Sequence, residues 1–341
     1  MGERITRRSE WQAVGKDGEI VELEAKRYAV EPDFTEMTYL RARPVKITPS
    51  RAKRPERDFT RIVAFGDAQI DYRLYDGELH PIHDERAMKC ARYIIRHLMP
   101  EIIVNLGDTI DLSQFSRYDK DSNHFDTTLQ AAFDRVHEFY GELRADNPEA
   151  EIHEVDSNHN VRLGKMVLKQ VSQLWGFRQA GSDPTKYPML TYPYMANLEA
   201  HNVIWHGGYG AANYKYKDDL MMIHGNAVRS NGSTADLLSK KYPYTNIVAG
   251  HGHKSQMHVR TKPDGTYLTA VQAPALCKIT GEVPGYGTGV DDMGHPVHNQ
   301  QDWQQGVVII DDYGDGLYQW RTVNITEGVA FMDGVMFDGN A

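Results

Sequence analysis

Cysteine is nearly absent: Cys90 and Cys277 are the only two in 341 residues. A disulfide framework is thereby excluded, the paired spacing of a zinc ribbon is missing, and such sparing use of thiols suits a reducing compartment. Long apolar runs are also missing. No window approaches the roughly eighteen apolar residues of a spanning helix, and Met1–Glu10 is polar and charged, without the apolar stretch of a secretory leader. The expectation is a cytoplasmic protein with no membrane partner, in the host cytoplasm if the source is viral. Positive charge is in deficit, 38 Lys and Arg against 47 Asp and Glu for a net −9, so the molecule as a whole does not attract a polyanion. Any contact with nucleic acid has to be local. There is no Gly-x-Ser-x-Gly elbow, and His253 stands before Lys254 where a phosphate-binding loop needs Gly.

What is present reads as an α/β chain with 40% hydrophobic and 25% charged residues. Ile62–Phe65 and Ile102–Leu106 are short apolar runs stopped by Gly-Asp, as buried strands are. Between them Asp84 caps an expected helix carrying Met88, Ala91, Ile95 and Leu98 at helical spacing. A second helix is expected from Thr128 to Leu143, a strand at Glu151–Val155, a helix from Val161 to Trp175, and strands at Leu220–Ile223 and Asn246–Ala249. Later segments read as antiparallel hairpins, 257–261 with 267–271 and 307–310 with 317–323. Residues 1–60 form an N-terminal extension with one expected hairpin turning at Lys16-Asp17-Gly18 and a basic, Pro-containing linker. Residues 61–325 form the principal domain, and 326–341 a C-terminal tail.

Metal-capable side chains sit just past five strand ends, where α/β sheets gather their ligands. They are Asp67 with Gln69, Asp108 with Asp111, Asn158 with His159, His224, and His251 with His253. In this order the chain resembles the calcineurin-like metallophosphoesterase superfamily, whose pattern is Asp-x-His, Gly-Asp-x-x-Asp, Gly-Asn-His-Asp/Glu, a lone His-Gly, and Gly-His-x-His. Ser157–Leu163 and Trp303-Gln304-Gln305-Gly306 look most like phage-encoded and related bacterial members. The resemblance implies two packed mixed β-sheets flanked by helices, and a site for two divalent cations. Asp67, Gln69 and His253 would bind one metal, Asn158, His224 and His251 the other, and Asp108 both. His159 would face the substrate.

The implied activity is hydrolysis of a phosphodiester, in a nucleotide or nucleic acid, by a hydroxide shared between the metals. Asp111 would orient a neighbouring His, left open here, and Arg162 would reach a phosphate oxygen beside Asn158 and His159. The oxygen-rich donor set points to Mn²⁺ ahead of Mg²⁺, Fe, Zn²⁺ or Ni²⁺. Three residues depart from the pattern: Gln69 replaces His, Ser157 replaces Gly, and Asn160 replaces the usual acid. Asp-x-Gln is also similar to the manganese-dependent ADP-ribose and CDP-alcohol diphosphatases of the superfamily. A nucleotide diphosphatase or phosphomonoesterase is therefore the alternative enzyme, and a non-catalytic metal- or phosphate-binding module the alternative of another class.

Three further features have two readings each. The basic residues between Arg41 and Arg61 are either a footing for a phosphate backbone or a solvated arm. Tyr187, Tyr192, Tyr194, Tyr209, Tyr214 and Tyr216 either stack on bases or complete a core. The glycine-rich segment 281–299, with His295 and His298, is either a loop over the site or an exposed loop.

Overall fold

The computed structural model describes residues 3–14, 20–30, 50, 52–75, 77–116, 127–229, 232–281, 283–284, 291, 297 and 299–341. It divides into two units, Met1–Leu40 and Arg41–Ala341. In the first, β1 (Glu3–Val14) and β2 (Ile20–Val30) pair antiparallel from Val14 with Ile20 to Glu3 with Val30, with a bulge between Ile5 and Arg7. The turn expected at Lys16-Asp17-Gly18 lies outside the described residues.

The second unit is built on two sheets. One has six strands in the order β17 (Tyr318–Ile325), β16 (Gln305–Asp312), β3 (Thr60–Phe65), β6 (Ile102–Asn105), β7 (Glu151–Val155) and β8 (Val203–His206). The last four run parallel, and β16 is antiparallel to both its neighbours. The other sheet has the order β12 (Gln256–Thr261), β13 (Tyr267–Gln272), β11 (Asn246–Ala249), β10 (Leu220–Ile223) and β9 (Tyr214–Tyr216), parallel at its centre with antiparallel edges. Short pairs β4 (Tyr72–Tyr75) with β5 (Glu78–Pro81), and β14 (Thr280–Gly281) with β15 (Asn299–Gln300), lie outside both sheets.

Strands β3, β6, β10 and β11 are largely apolar because both of their faces are covered. Ile62, Ala64, Val104 and Val155 of the six-stranded sheet pack against Leu220, Met222, Val248 and Val271 of the five-stranded one. The alternate residues, Val63, Phe65, Ile103 and Ile152, face α1 (Glu85–Leu98) and α2 (Leu129–Asp146). On the outer side of the other sheet, Leu238 of α5 (Thr234–Lys241) meets Ile223, Ile247 and Ala270. The result is the expected sandwich of two mixed sheets flanked by helices. Residues 326–341, separated above as a tail, form the hairpin β18 (Val329–Met332) and β19 (Val335–Asp338), whose Ala330, Met332 and Phe337 join the core beside α1. Among the described residues no helix is long and apolar enough to cross a membrane.

Asp84 caps α1 as expected, its side chain accepting from the backbone N–H groups of Arg86 and Ala87. The helix expected from Val161 to Trp175 is shorter: α3 runs Arg162–Gln170, and one tight turn follows at Ser172–Leu174. Leu174 and Trp175 continue the apolar spacing but face solvent, so no core holds the helix open-ended to that point. A four-residue helix, α4 (Tyr192–Met195), leads into β8.

The described part of the basic linker is absorbed into the fold. Arg54 donates to the carbonyls of Met99 and Pro100, and Arg57 to those of Leu98 and Met99, at 2.5–3.2 Å. Both guanidiniums thus satisfy the orphan carbonyls at the negative end of α1. Arg61 is paired with Asp311 at 2.6 Å. These residues are structural and are not an arm extended toward a polyanion. Arg57→Ala is expected to lower stability by about 1–3 kcal/mol in urea unfolding, the usual loss for bonds from a charged donor. An unchanged midpoint would show the cap to be energetically idle.

Candidate metal centre

All five expected strand ends converge at one edge of the sandwich. Asp67 and Gln69 follow β3, Asp108 and Asp111 follow β6, Asn158 and His159 follow β7, His224 follows β10, and His251 and His253 follow β11. Asp67, Gln69, Asp108, His251 and His253 all have φ between +47° and +70°. Non-glycine residues avoid that left-handed region, and each such residue stores of order 1–3 kcal/mol of strain unless its surroundings compel it. Here the strand stops and the backbone turns back, so that each side chain points into a common space. Crowding makes two glycines obligatory. A Cβ on Gly107, itself at φ +96°, would lie 2.6 Å from Ser157 Cβ, and one on Gly250 would lie 2.9 Å from Asp67 Oδ2.

The side chains form two adjoining groups. In the first, His253 Nε2 lies 3.1 Å from Asp67 Oδ1 and 3.3 Å from the Gln69 amide. Half a turn of that amide would present its oxygen instead. Asp67 also accepts the His251 N–H at 3.0 Å, and the Trp303 ring stands edge-on to His253 with centroids 4.4 Å apart. In the second group, His224 Nε2 lies 2.7 Å from Asn158 Oδ1, 3.2 Å from His251 Nδ1 and 3.4 Å from Asp108 Oδ2. Among the described residues, Asp108, His224 and His251 form a cluster able to hold a metal ion.

The protonation pattern fits a cation. His224 Nδ1 is 3.0 Å from the Leu106 carbonyl, which can only accept, so this nitrogen carries the proton. Nε2 of the neutral ring is then bare and faces a carboxylate, an amide oxygen and a second imidazole. A cation would satisfy that donor set, as would a proton on Nε2 or a half-turn of the Asn158 amide. Burial, opposed by the nearby His159, His224 and His251, leaves Asp108 well below the ordinary carboxylate range. Burial, with His224 beside it, pushes His251 down to about 4, so it is a bare imidazole near neutrality.

His159 and Arg162 complete the edge of this centre. His159 Nδ1 lies 2.7 Å from Asp111 Oδ1 and is hydrogen-bonded to the Asp111 backbone carbonyl at 3.0 Å, so His159 is the ring that Asp111 meets. Nε2 is left toward the centre, 3.6 Å from Asp108 Oδ2 and 3.1 Å from Arg162 Nη2. Arg162 Nη1 donates to the Asp111 carbonyl at 2.6 Å. Burial alone would raise the Asp111 carboxyl, but His159 and Arg162 outweigh it and hold it at about 2. The three departures from the family pattern also find places. Gln69 stays beside His253, Ser157 Oγ accepts the Asp108 N–H at 2.8 Å, and Asn160 turns away to donate to Glu154 at 3.1 Å.

Glu154 had no role in the sequence reading. It is fully buried behind the centre and accepts from the hydroxyls of Thr109 and Tyr192 as well as from Asn160, thereby tying the β6 and β7 loops to α4. Its strand, Glu151–Val155, mixes charged and apolar residues and carried no signal of a buried carboxyl. Burial raises its carboxyl to about 7 from an ordinary value of 4.5. The unfolded chain therefore releases this proton first, so Glu154 lowers stability progressively from about pH 4.5 to 7, and fully above 7. Glu154→Gln is expected to lose roughly 3 kcal/mol less than the parent across that interval, read by denaturant unfolding at a series of pH values. Parallel curves would show Glu154 ionised throughout.

Three of the six tyrosines complete the structure, while Tyr187 and Tyr194 are exposed. Tyr192 bonds Glu154, Tyr214 stacks on His153 with centroids 4.1 Å apart, and Tyr216 bonds Asp312. Tyr209 alone among the six is recorded against a candidate ligand, edge-on to His224 at 6.0 Å, its turn held by N–H bonds from Gly208 and Tyr209 to Asp156. Cys90 and Cys277 are buried, as expected of core thiols. His295 and His298 lie outside the described residues.

Motif order and sheet arrangement now agree. The two mixed sheets are those that the family resemblance implied. No family model and no curated protein matches the chain. Among solved structures it is similar to a dimetal phosphatase from Danio rerio, at 11% identity and TM-score 0.31 over 77% of this chain and 98% of the other. It is also similar to Vps29 of Entamoeba histolytica solved with Zn²⁺, at 10% identity and TM-score 0.29 over 78% and 99% of the two chains. Purple acid phosphatase PPD1 from yellow lupin is similar at 10% identity and TM-score 0.37, over 92% of this chain and 57% of its own.

Proposed function

We propose that this chain is a metal-dependent phosphodiesterase acting on a nucleotide or nucleic acid phosphodiester. The observation that carries the reading is the strain: five of the seven candidate ligands occupy left-handed backbone, and their side chains nonetheless meet within 3–4 Å. Asp67, Gln69 and His253 would hold one divalent cation, Asn158, His224 and His251 a second, and Asp108 both. Cations held there would polarise a phosphoryl oxygen and lower the pKa of a water. Asp111 holds the His159 Nδ1 side, which leaves Nε2 toward the centre to hydrogen-bond a phosphoryl oxygen or, when it carries a proton, to protonate a leaving alkoxide. Arg162 sets a fixed positive charge beside that nitrogen. The buried Glu154 network holds the Asp108 and His159 loops together.

The test is to strip the protein with chelator and add back Mn²⁺, Mg²⁺ or Zn²⁺ singly. Hydrolysis of bis-p-nitrophenyl phosphate, p-nitrophenyl phosphate, ADP-ribose and single-stranded DNA is then compared. The expected outcome is restoration by Mn²⁺ with the diesters preferred, in keeping with the oxygen-rich donors. Restoration by Zn²⁺ alone overturns the choice of metal, and turnover of ADP-ribose alone moves the substrate to a diphosphate. Phosphate binding with no turnover at all reduces the chain to a binding module.

A further inference from the structure

With Arg54, Arg57 and Arg61 committed to the fold, local positive charge has to be sought elsewhere. Residues 157–182 contain no Asp or Glu, in a chain that carries 47 of them, and include Arg162, Lys165, Lys169 and Arg178. Arg178 donates only to the carbonyls of Gly176 and Lys186, so its charge is not neutralised. Lys165 and Lys169 make no ion pair among the described residues, and Lys165 lies 5.9 Å over the Tyr209 ring. The same stretch exposes two large aromatic side chains, Trp175 at 55% and Phe177 at 54%.

These features are continuous with the metal centre. Arg162 touches His159, and Gly164, two residues on, leaves the space in which the Trp175 ring rests, 3.5 Å from where a Cβ would stand. On the other side Lys165 leads through Tyr209 to His224. Arg162 is paired with Asp111 at 3.6 Å, but Lys165, Lys169 and Arg178 are not paired with a carboxylate among the described residues, and cations of that kind beside exposed aromatic faces leading to a phosphodiester site are what a flexible polynucleotide strand requires, since every base offers a π-face and every linkage a charge. A duplex, with its bases stacked inward, could not use the aromatic rings.

We propose that α3 and the turn after it, residues 162–178, are a binding platform for single-stranded nucleic acid that feeds the strand into the metal centre. This rests on the phosphodiesterase reading and narrows its substrate to a polynucleotide strand. The platform is tested with full-length protein in chelator, which separates binding from turnover, using fluorescent twelve-nucleotide oligodeoxythymidylate and oligouridylate in anisotropy titrations at several salt concentrations. Trp175→Ala is expected to weaken binding about 5- to 100-fold, with Trp175→Tyr recovering most of it because stacking tolerates any aromatic ring. Lys165→Gln and Lys169→Gln should each reduce the slope of log Kd against log salt by roughly 0.7. Equal weakening for both oligonucleotides marks a platform blind to the 2′-hydroxyl, and a difference assigns it to DNA or RNA.

Unaltered affinity in Trp175→Ala, or unaltered slopes in the lysine variants, overturns the proposal. So does sedimentation showing that Trp175→Ala only dissociates an oligomer, which would make the face a contact between copies of this chain. Metal-loaded turnover of bis-p-nitrophenyl phosphate is measured in parallel. If it is present while oligonucleotide binding ignores the variants, the platform fails and the phosphodiesterase stands. If it is absent while binding tracks the variants, the reverse holds.

Discussion

Asp108→Asn is expected to empty both cation sites together: metal content after reconstitution falls from two per chain to below one, and diester hydrolysis drops by about 10³-fold or more. The size follows from position. Substitutions behind a ligand typically cost 10- to 100-fold in metal affinity or activity, and Asp108 is itself a candidate ligand to both cations. It lies 3.4 Å from His224 Nε2 in one group, and its backbone carbonyl accepts the Gln69 N–H of the other at 2.9 Å. Two divalent ions bring four positive charges, and Asp67 and Asp108 return two; the substitution halves that return without changing shape. The Asn side chain can still accept the His159 N–H, which now meets Asp108 Oδ1 at 3.0 Å, so the loop should survive. His251→Asn, by contrast, should lower the occupancy of one site more than the other. Mass-spectrometric metal analysis distinguishes the two variants, and two full equivalents retained in Asp108→Asn would remove it as the shared ligand.

The second large effect separates chemistry from metal binding. His159→Ala is expected to keep its metals and lose about 10²- to 10⁴-fold in kcat, the range general acid catalysis supplies. Asp111→Asn should lose roughly 10- to 100-fold, because it acts only through the ring it orients at 2.7 Å. The double variant should be no worse than His159→Ala, since residues that work as a unit are not additive. A leaving group of low pKa, such as p-nitrophenolate, needs little protonation and should shrink the deficit relative to an alkyl leaving group. Equal losses on both substrates would assign His159 to phosphoryl binding alone, and loss of metal in His159→Ala would make it a ligand.

The five strand ends were legible because their grammar is local. A short strand-like run that leads into Gly-Asp, Gly-His, His-Gly or Asp-Ser-Asn is visible without knowing the partner strand, and β3, β6, β7, β10 and β11 all formed where that pattern placed them. Helix α1 was legible for the same reason, through its cap and apolar stripe. The end of α3 was not, because the spacing of Leu174 and Trp175 says nothing of whether a core exists for them to face.

Residue type and order by themselves determined the succession of strands and helices and the set of side chains that could meet a cation, since strand length, glycine stops and donor chemistry are written within a few neighbouring positions; the two-sheet sandwich was implied by the family resemblance of that order. Only the tertiary structure decided who meets whom: His253 beside Asp67, 186 positions earlier, Asp111 on His159 rather than another ring, Arg57 on the end of α1, and Glu154 buried behind the centre. The physical reason is that a charged or polar side chain takes its meaning from what replaces its water, and that replacement comes from segments distant along the chain.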